Sequence, residues 1–148
     1  MLNIAGRRST LATVLGVVVL AGSVLVAPPV LAQPDVCRVR NLDLHGAPMS
    51  DLQQAIRRAD PGNTLEVRGV CIGTYTIRES LTLTARVTPG RPQPVLDGAG
   101  QGTVVDVIAP TSSEVRLDNI TVTGGDGTSG GIWIQSGAVT LSGSTLVT

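Results

Sequence analysis

One segment of this chain nearly repeats itself, and the spacing of its two copies limits the fold more than any other feature. Val115-Arg-Leu-Asp-Asn-Ile-Thr-Val-Thr123 returns 24 residues later as Val139-Thr-Leu-Ser-Gly-Ser-Thr-Leu-Val147. In both copies apolar residues alternate with polar ones, which is the period of strands and not of helices. A repeat period in the low twenties predicts a solenoid whose unit is a pair of short strands. Function in such an architecture is carried on outer faces and inserted loops, not in one central pocket.

Other short alternating segments lie at 64–67, 75–77, 81–84, 95–96 and 104–108, with Gly, Pro, Asn and Asp at the joints. Leu81-Thr-Leu-Thr84 registers with the segments at Val115 and Val139, its interval lengthened to 34 residues by the Pro-rich stretch 87–94. That stretch reads as a surface loop leaving the coil. A second set registers Val105-Asp-Val107 against Ile132-Trp-Ile134. Two strand families recurring in the same order predict a multi-faced coil. Phe is absent, and Tyr75 and Trp133 are the only aromatic residues. The core must therefore be built from Val, Leu and Ile, which suits narrow stacked strands.

One helix is signposted over 50–60. Ser50 and Gln53 have the spacing of a capping box. Leu52, Ala55, Ile56 and Ala59 fall on one stripe, while Gln54, Arg57 and Arg58 face away. Pro61 and Gly62 stop the helix.

The first 32 residues carry the three parts of a secretory signal: Arg7 and Arg8, an uncharged apolar run over 11–26, and small residues before a break after Ala32. The run is shorter than the roughly 20 residues that a spanning helix needs. Cleavage leaves no membrane segment and places the mature part outside the cell, at the cell surface, or in the periplasm of a two-membrane bacterium. Export explains the cysteines, since Cys37 and Cys71 are an even number in an oxidising compartment and are predicted to pair. All eleven basic residues are Arg. Removing Arg7 and Arg8 leaves nine of them against eleven acids, scattered along the chain. Such a balance gives no electrostatic footprint for nucleic acid.

Cys37, the helix ending at Pro61-Gly62, Asn63-Thr-Leu-Glu-Val-Arg-Gly-Val-Cys-Ile-Gly73, the Ile77-to-Leu83 element, Val95-Leu-Asp-Gly98, Ile120-Thr-Val-Thr-Gly-Gly125 and Gly130-Gly-Ile132 occur in that order. In this combination the chain resembles the right-handed parallel β-helix proteins of the pectate-lyase-like fold, above all their secreted bacterial members. The resemblance implies an all-β solenoid in which a short helix plugs the amino end of the coil. It divides the chain into a signal peptide at 1–32, an N-terminal cap at 33–62 holding helix 50–60, and coils over 63–148. The last coil has no plug, whereas terminal repeats normally carry a distinctive cap. The coil is therefore expected to be cut short at its C-terminal end, with end-to-end self-association through the uncapped coil as the alternative.

Alternation decides which side chains face outward. With Val105, Val107, Ile132 and Ile134 inside, Asp106 and Trp133 point out and lie side by side on adjacent coils. A Trp ring beside a carboxylate can hold a sugar, the ring against a pyranose face and the carboxylate accepting from hydroxyls. Catalysis finds less support. Hydrolysis of a glycosidic bond needs two carboxylates placed across it, and lyases of this fold use acidic calcium ligands with a basic residue. The Asn-Thr-Asp, Gly-Asp-Asp and Gly-His-Gly motifs of polygalacturonases are absent. Asp118-Asn119 reads as a coil bend, and Gly125-Asp-Gly127 as a turn whose Asp caps local backbone. A single carboxylate there makes a weak calcium site. His45 lies far from these acids in sequence, so no metal or cofactor is expected. The reading is a non-enzymatic structural, adhesive or carbohydrate-contacting module whose partner is a cell-surface or extracellular polysaccharide. The alternative is a lyase or glycoside hydrolase of the same fold whose catalytic coils lie beyond residue 148.

Overall fold

The computed structural model describes residues 35–126 and 130–147. The signal-peptide reading of 1–32 lies outside the described residues. Among these, no helix is long and apolar enough to cross a membrane.

The protein is mostly β-structure in parallel sheets. Its elements are β1 (Arg38–Asn41), α1 (Leu52–Arg58), β2 (Thr64–Arg68), β3 (Val70–Ile72), β4 (Tyr75–Ile77), β5 (Leu81–Thr84), β6 (Val95–Asp97), β7 (Val105–Ile108), β8 (Glu114–Asp118), β9 (Thr121–Thr123), β10 (Ile132–Ser136), β11 (Ala138–Ser142) and β12 (Thr145–Leu146). They form three sheets, in the orders β1-β2-β5-β8-β11, β4-β7-β10 and β3-β6-β9-β12. Strands two to twelve thus pass through the three sheets in rotation, each pairing in parallel with the strand three places on. Both predicted registers hold: Val115 lies opposite Leu81 on one side and Val139 on the other, and Trp133 lies opposite Asp106.

Alternation drives one set of side chains inward, where they stack in rows across the ladders. Leu65, Leu83, Leu117 and Leu141 make one row; Cys71, Leu96, Val122 and Leu146 make another. The first three members of each row are fully buried. Each buried leucine contributes about 2 kcal/mol by leaving water. The row ends behave differently, because Leu141 and Leu146 are each 44% exposed on a face that no described residue covers.

β1 departs from the all-parallel expectation. It runs antiparallel to β2, with Arg38 opposite Arg68 and Arg40 opposite Glu66. Its other side is closed by Met49, whose backbone exchanges hydrogen bonds of 2.7 and 2.8 Å with Val39. A disulfide joins Cys37, next to β1, to Cys71 in the middle of β3, as the pairing argument predicts.

The helix is shorter than predicted and differently capped. Asp51 is the N-cap, its carboxylate accepting the Gln54 N–H at 2.8 Å, so Ser50 and Gln53 form no capping box. An ionised carboxylate is the stronger acceptor and takes the orphan donor. The helix stops at Arg58, before the predicted residue 60, because Asp60 precedes a proline and is pushed out of helical geometry. The predicted stripe is correct, with Leu52, Ala55, Ile56 and Ala59 all buried.

Freed from the cap, Gln53 does something else. The Thr76 N–H donates to Gln53 Oε1 at 2.8 Å, and Gln53 Nε2 donates to the Thr76 carbonyl at 3.2 Å. Thr76 lies on β4, the edge strand of its sheet, so the side-chain amide stands in for a missing neighbour strand and blunts the edge. Gln53→Ala is expected to cost about 1–2 kcal/mol in denaturant unfolding, the cost of leaving partly buried backbone groups unpaired. Amide exchange at Thr76 should accelerate selectively; unchanged exchange there would show that the amide does not seal the edge.

The bend after β8 explains a difference between the two repeat copies. Asn119 and Gly143 occupy the same place and share a left-handed backbone, with φ of 58° and 59°. Asn tolerates this conformation and Gly takes it without strain. The two choices are also linked, since a Cβ on Gly143 would collide with Asn119 Oδ1.

Candidate functional site

On the sheet β4-β7-β10, Thr76, Asp106 and Trp133 form one outward row. Trp133 is 53% exposed. The Asp106 carboxylate is held by Gln135, whose Nε2 donates to its two oxygens at 3.0 and 3.1 Å. The register slips between Ile134 and Ser136, so Gln135 sits in an irregularity of β10. Such bulges re-aim a side chain next to a site. Gln135 was missed in the sequence, although alternation already placed it on the same face as Trp133, two residues on. Together the three present an apolar ring, a fixed carboxylate and a free amide oxygen, a set that can bind hydroxyl-rich ligands. The row offers one carboxylate, and acid–base cleavage of a glycosidic bond uses two.

The other acids that the sequence singled out, Asp97, Asp118 and Asp126, lie off this row. Asp97 Oδ1 accepts the Ala99 N–H at 2.9 Å, holding a turn in which Ala99 has a φ of 50°. Asp118 ends β8 at the bend through Asn119, as the sequence suggested. Asp126 uses its backbone on both sides, donating to the Gly102 carbonyl and accepting from Gly130 N–H, while residues 127–129 are not described. His45 is exposed in the segment before α1. Among the described residues, no group of three or more His, Cys, Asp or Glu side chains is placed to hold a metal ion.

Tyr75 is the one tyrosine, and its ring is buried in the core on β4. Burial, with smaller contributions from Asp51 and Asp97, pushes its hydroxyl up from 10.0 to about 12. The fold thus favours the neutral phenol. Its contribution to stability is complete below the unfolded value of about 10 and is lost as pH rises from there through 12. Titration by ultraviolet absorbance should give a midpoint well above 10 while circular dichroism still reports folded protein; a midpoint at 10 would contradict this.

Four of the arginines that look scattered in the sequence stand together in the structure. The antiparallel pairing of β1 brings Arg38 and Arg40 beside Arg68, and the chain leaving β5 adds Arg86. Two shallow clefts of about 310 and 180 Å³ are lined in common by Arg40, Glu66 and Arg68. Glu66 is committed to Arg68 at 3.0 Å. A third cleft, of about 570 Å³, lies under the Pro-rich loop and shares Arg68 and Arg86 with the first. Within it Arg91 meets Asp35 at 3.4 Å with both side chains largely in water, a pair of little energetic weight. Gln93 pins this loop, donating to the Gly143 carbonyl at 2.9 Å and accepting from the Thr121 hydroxyl at 3.3 Å. Farther along the same sheet, Glu114 accepts from the Thr140 hydroxyl and from Arg116, which hold its carboxyl below the usual range.

Neither protein-family models, nor curated proteins, nor solved structures yield a match to this chain.

Proposed function

We propose that this chain is an exported right-handed parallel β-helix that contacts carbohydrate without cleaving it, in a structural or adhesive role. The single observation that carries the reading is Trp133, exposed on a parallel sheet beside a carboxylate that Gln135 holds in place. A rigid sheet positions such a platform better than a loop would. The rotation of eleven strands through three parallel sheets supports the β-helix, and α1 packing its apolar stripe against the core supports the amino-end plug. The Cys37–Cys71 disulfide supports an oxidising compartment.

The test is retention on insoluble polysaccharides in a pull-down. Trp133→Ala is expected to reduce retention of the otherwise folded protein by about tenfold, the scale of a lost aromatic contact. Retention equal to that of the parent would remove the reading.

A further inference from the structure

The arginine band on β1, β2 and the end of β5 is only partly engaged by the protein's own side chains. Arg38, Arg40 and Arg86 make no salt bridge or hydrogen bond among the described residues, while Arg68 already holds the carboxylate of Glu66. Arg38 lies directly opposite Arg68 across the antiparallel pair. Like charges in that position destabilise a sheet. Four guanidiniums share these two clefts with one carboxylate, Glu66, so the clefts carry an excess of positive charge among the described residues.

We propose that this band is the binding site of a sulfated polysaccharide. The positive charge selects an anion, and three features select its kind. Guanidinium is planar, weakly hydrated and always charged, and forks onto oxyanions with two parallel N–H donors. One fork engages both oxygens of a carboxylate and leaves only their remaining lone pairs for a second arginine, whereas a sulfate ester presents three terminal oxygens and can give separate oxygens to arginines on two adjacent strands. The opposed Arg38 and Arg68 are placed for that bridging. Neither cleft is lined by an aromatic ring, so bases have nothing to stack on, as single-stranded nucleic acid requires. Outward threonine hydroxyls fill the same face instead: Thr84 lines the cleft with Arg86, and Thr64 and Thr82 pair beside it. Leu42 and Ala85 in one cleft and Pro48 in the other add small apolar contacts between the charges, so the surface fits a ligand with anionic and hydroxyl groups on an uncharged sugar backbone. Two adjoining clefts that share Arg40 and Arg68 fit a polymer with repeated anionic groups rather than one small ion.

The proposal rests on the carbohydrate reading only for its class of ligand, and it uses a different sheet from Trp133. Three probes with one backbone isolate the substituent: dextran, carboxymethyl-dextran and dextran sulfate, each titrated against the disulfide-bonded chain, with duplex DNA as a fourth. The expected order is dextran sulfate tightest, carboxymethyl-dextran weaker, and DNA and unsubstituted dextran weaker still, with affinity for dextran sulfate falling steeply as salt is raised. The triple variant R38Q/R40Q/R86Q should lose about tenfold or more in affinity for dextran sulfate. Its thermal midpoint should be no lower than that of the parent, since the replaced groups are exposed and repel one another. R57Q/R78Q, on the helix side, is expected to bind as the parent does. Equal binding of dextran sulfate by the triple variant and the parent overturns the proposal. So does a preference for the carboxylated polymer or for DNA. The triple variant should keep the retention on neutral insoluble polysaccharide that Trp133→Ala loses, so failure at the ring and failure at the band are read separately.

Discussion

Replacing Leu83 by alanine is expected to destabilise the protein by about 3–4 kcal/mol, which is the range for emptying a fully buried leucine site. Leu83 is wholly buried and lies in the middle of a row, between Leu65 and Leu117. Strands on both sides are held at fixed spacing by backbone hydrogen bonds, so neighbours cannot close over the cavity and the full cost remains. The same substitution at Leu141, at the end of that row and 44% exposed, should cost much less, about 1 kcal/mol. Urea unfolding of both variants checks the contrast. Equal losses would mean that the rows do not share one packed interior. A domain of ordinary stability has about 5–15 kcal/mol in all, so Leu83→Ala removes a large fraction of it.

Loss of the disulfide is the other large effect. Cys37 and Cys71 are 34 residues apart, and closing a loop of that length stabilises by about 4 kcal/mol in the chain-entropy model. Cys37→Ala/Cys71→Ala is the right test, since Cys71 is fully buried beside Leu96 and a serine there would add the cost of an unsatisfied hydroxyl. The double variant should show a lower denaturation midpoint. It should also show faster amide exchange in β1, whose ties to the body include β2, Met49, the Asn41–Asn63 hydrogen bond and this bond. Because β1 carries Arg38 and Arg40, the disulfide also holds half of the arginine band in place. A double variant as stable as the parent would show that β1 is anchored by its hydrogen bonds alone.

Much of the fold was legible because alternation is a local property. Val115 with Val139, and Asp106 with Trp133, could be matched from spacing alone, since parallel strands in rotation keep register with the repeat. The capping box misled because Ser50 and Gln53 have suitable spacing while Asp51 offers the stronger acceptor one residue on. The role taken by Gln53 was not legible, because its partner Thr76 is 23 residues away on a sheet edge that no local pattern marks. Gln135 shows the intermediate case. Its outward face could be read from alternation, but its aim at Asp106 follows from the slip in register after Ile134.

The sequence by itself determined the strand period, the stripe of α1, the pairing of the two cysteines and the inward set of Val, Leu and Ile, except at Ile134 on the sheet edge, expected inside and 49% exposed. These follow from side-chain alternation and compartment chemistry, which act over a few residues or on composition. Tertiary structure alone decided the direction of β1, and with it which arginines stand together. Arg38, Arg40, Arg68 and Arg86 are spread over 49 residues of chain and look scattered there. Strand pairing sets them side by side, because neighbours across a sheet are chosen by backbone hydrogen bonds and not by distance along the chain.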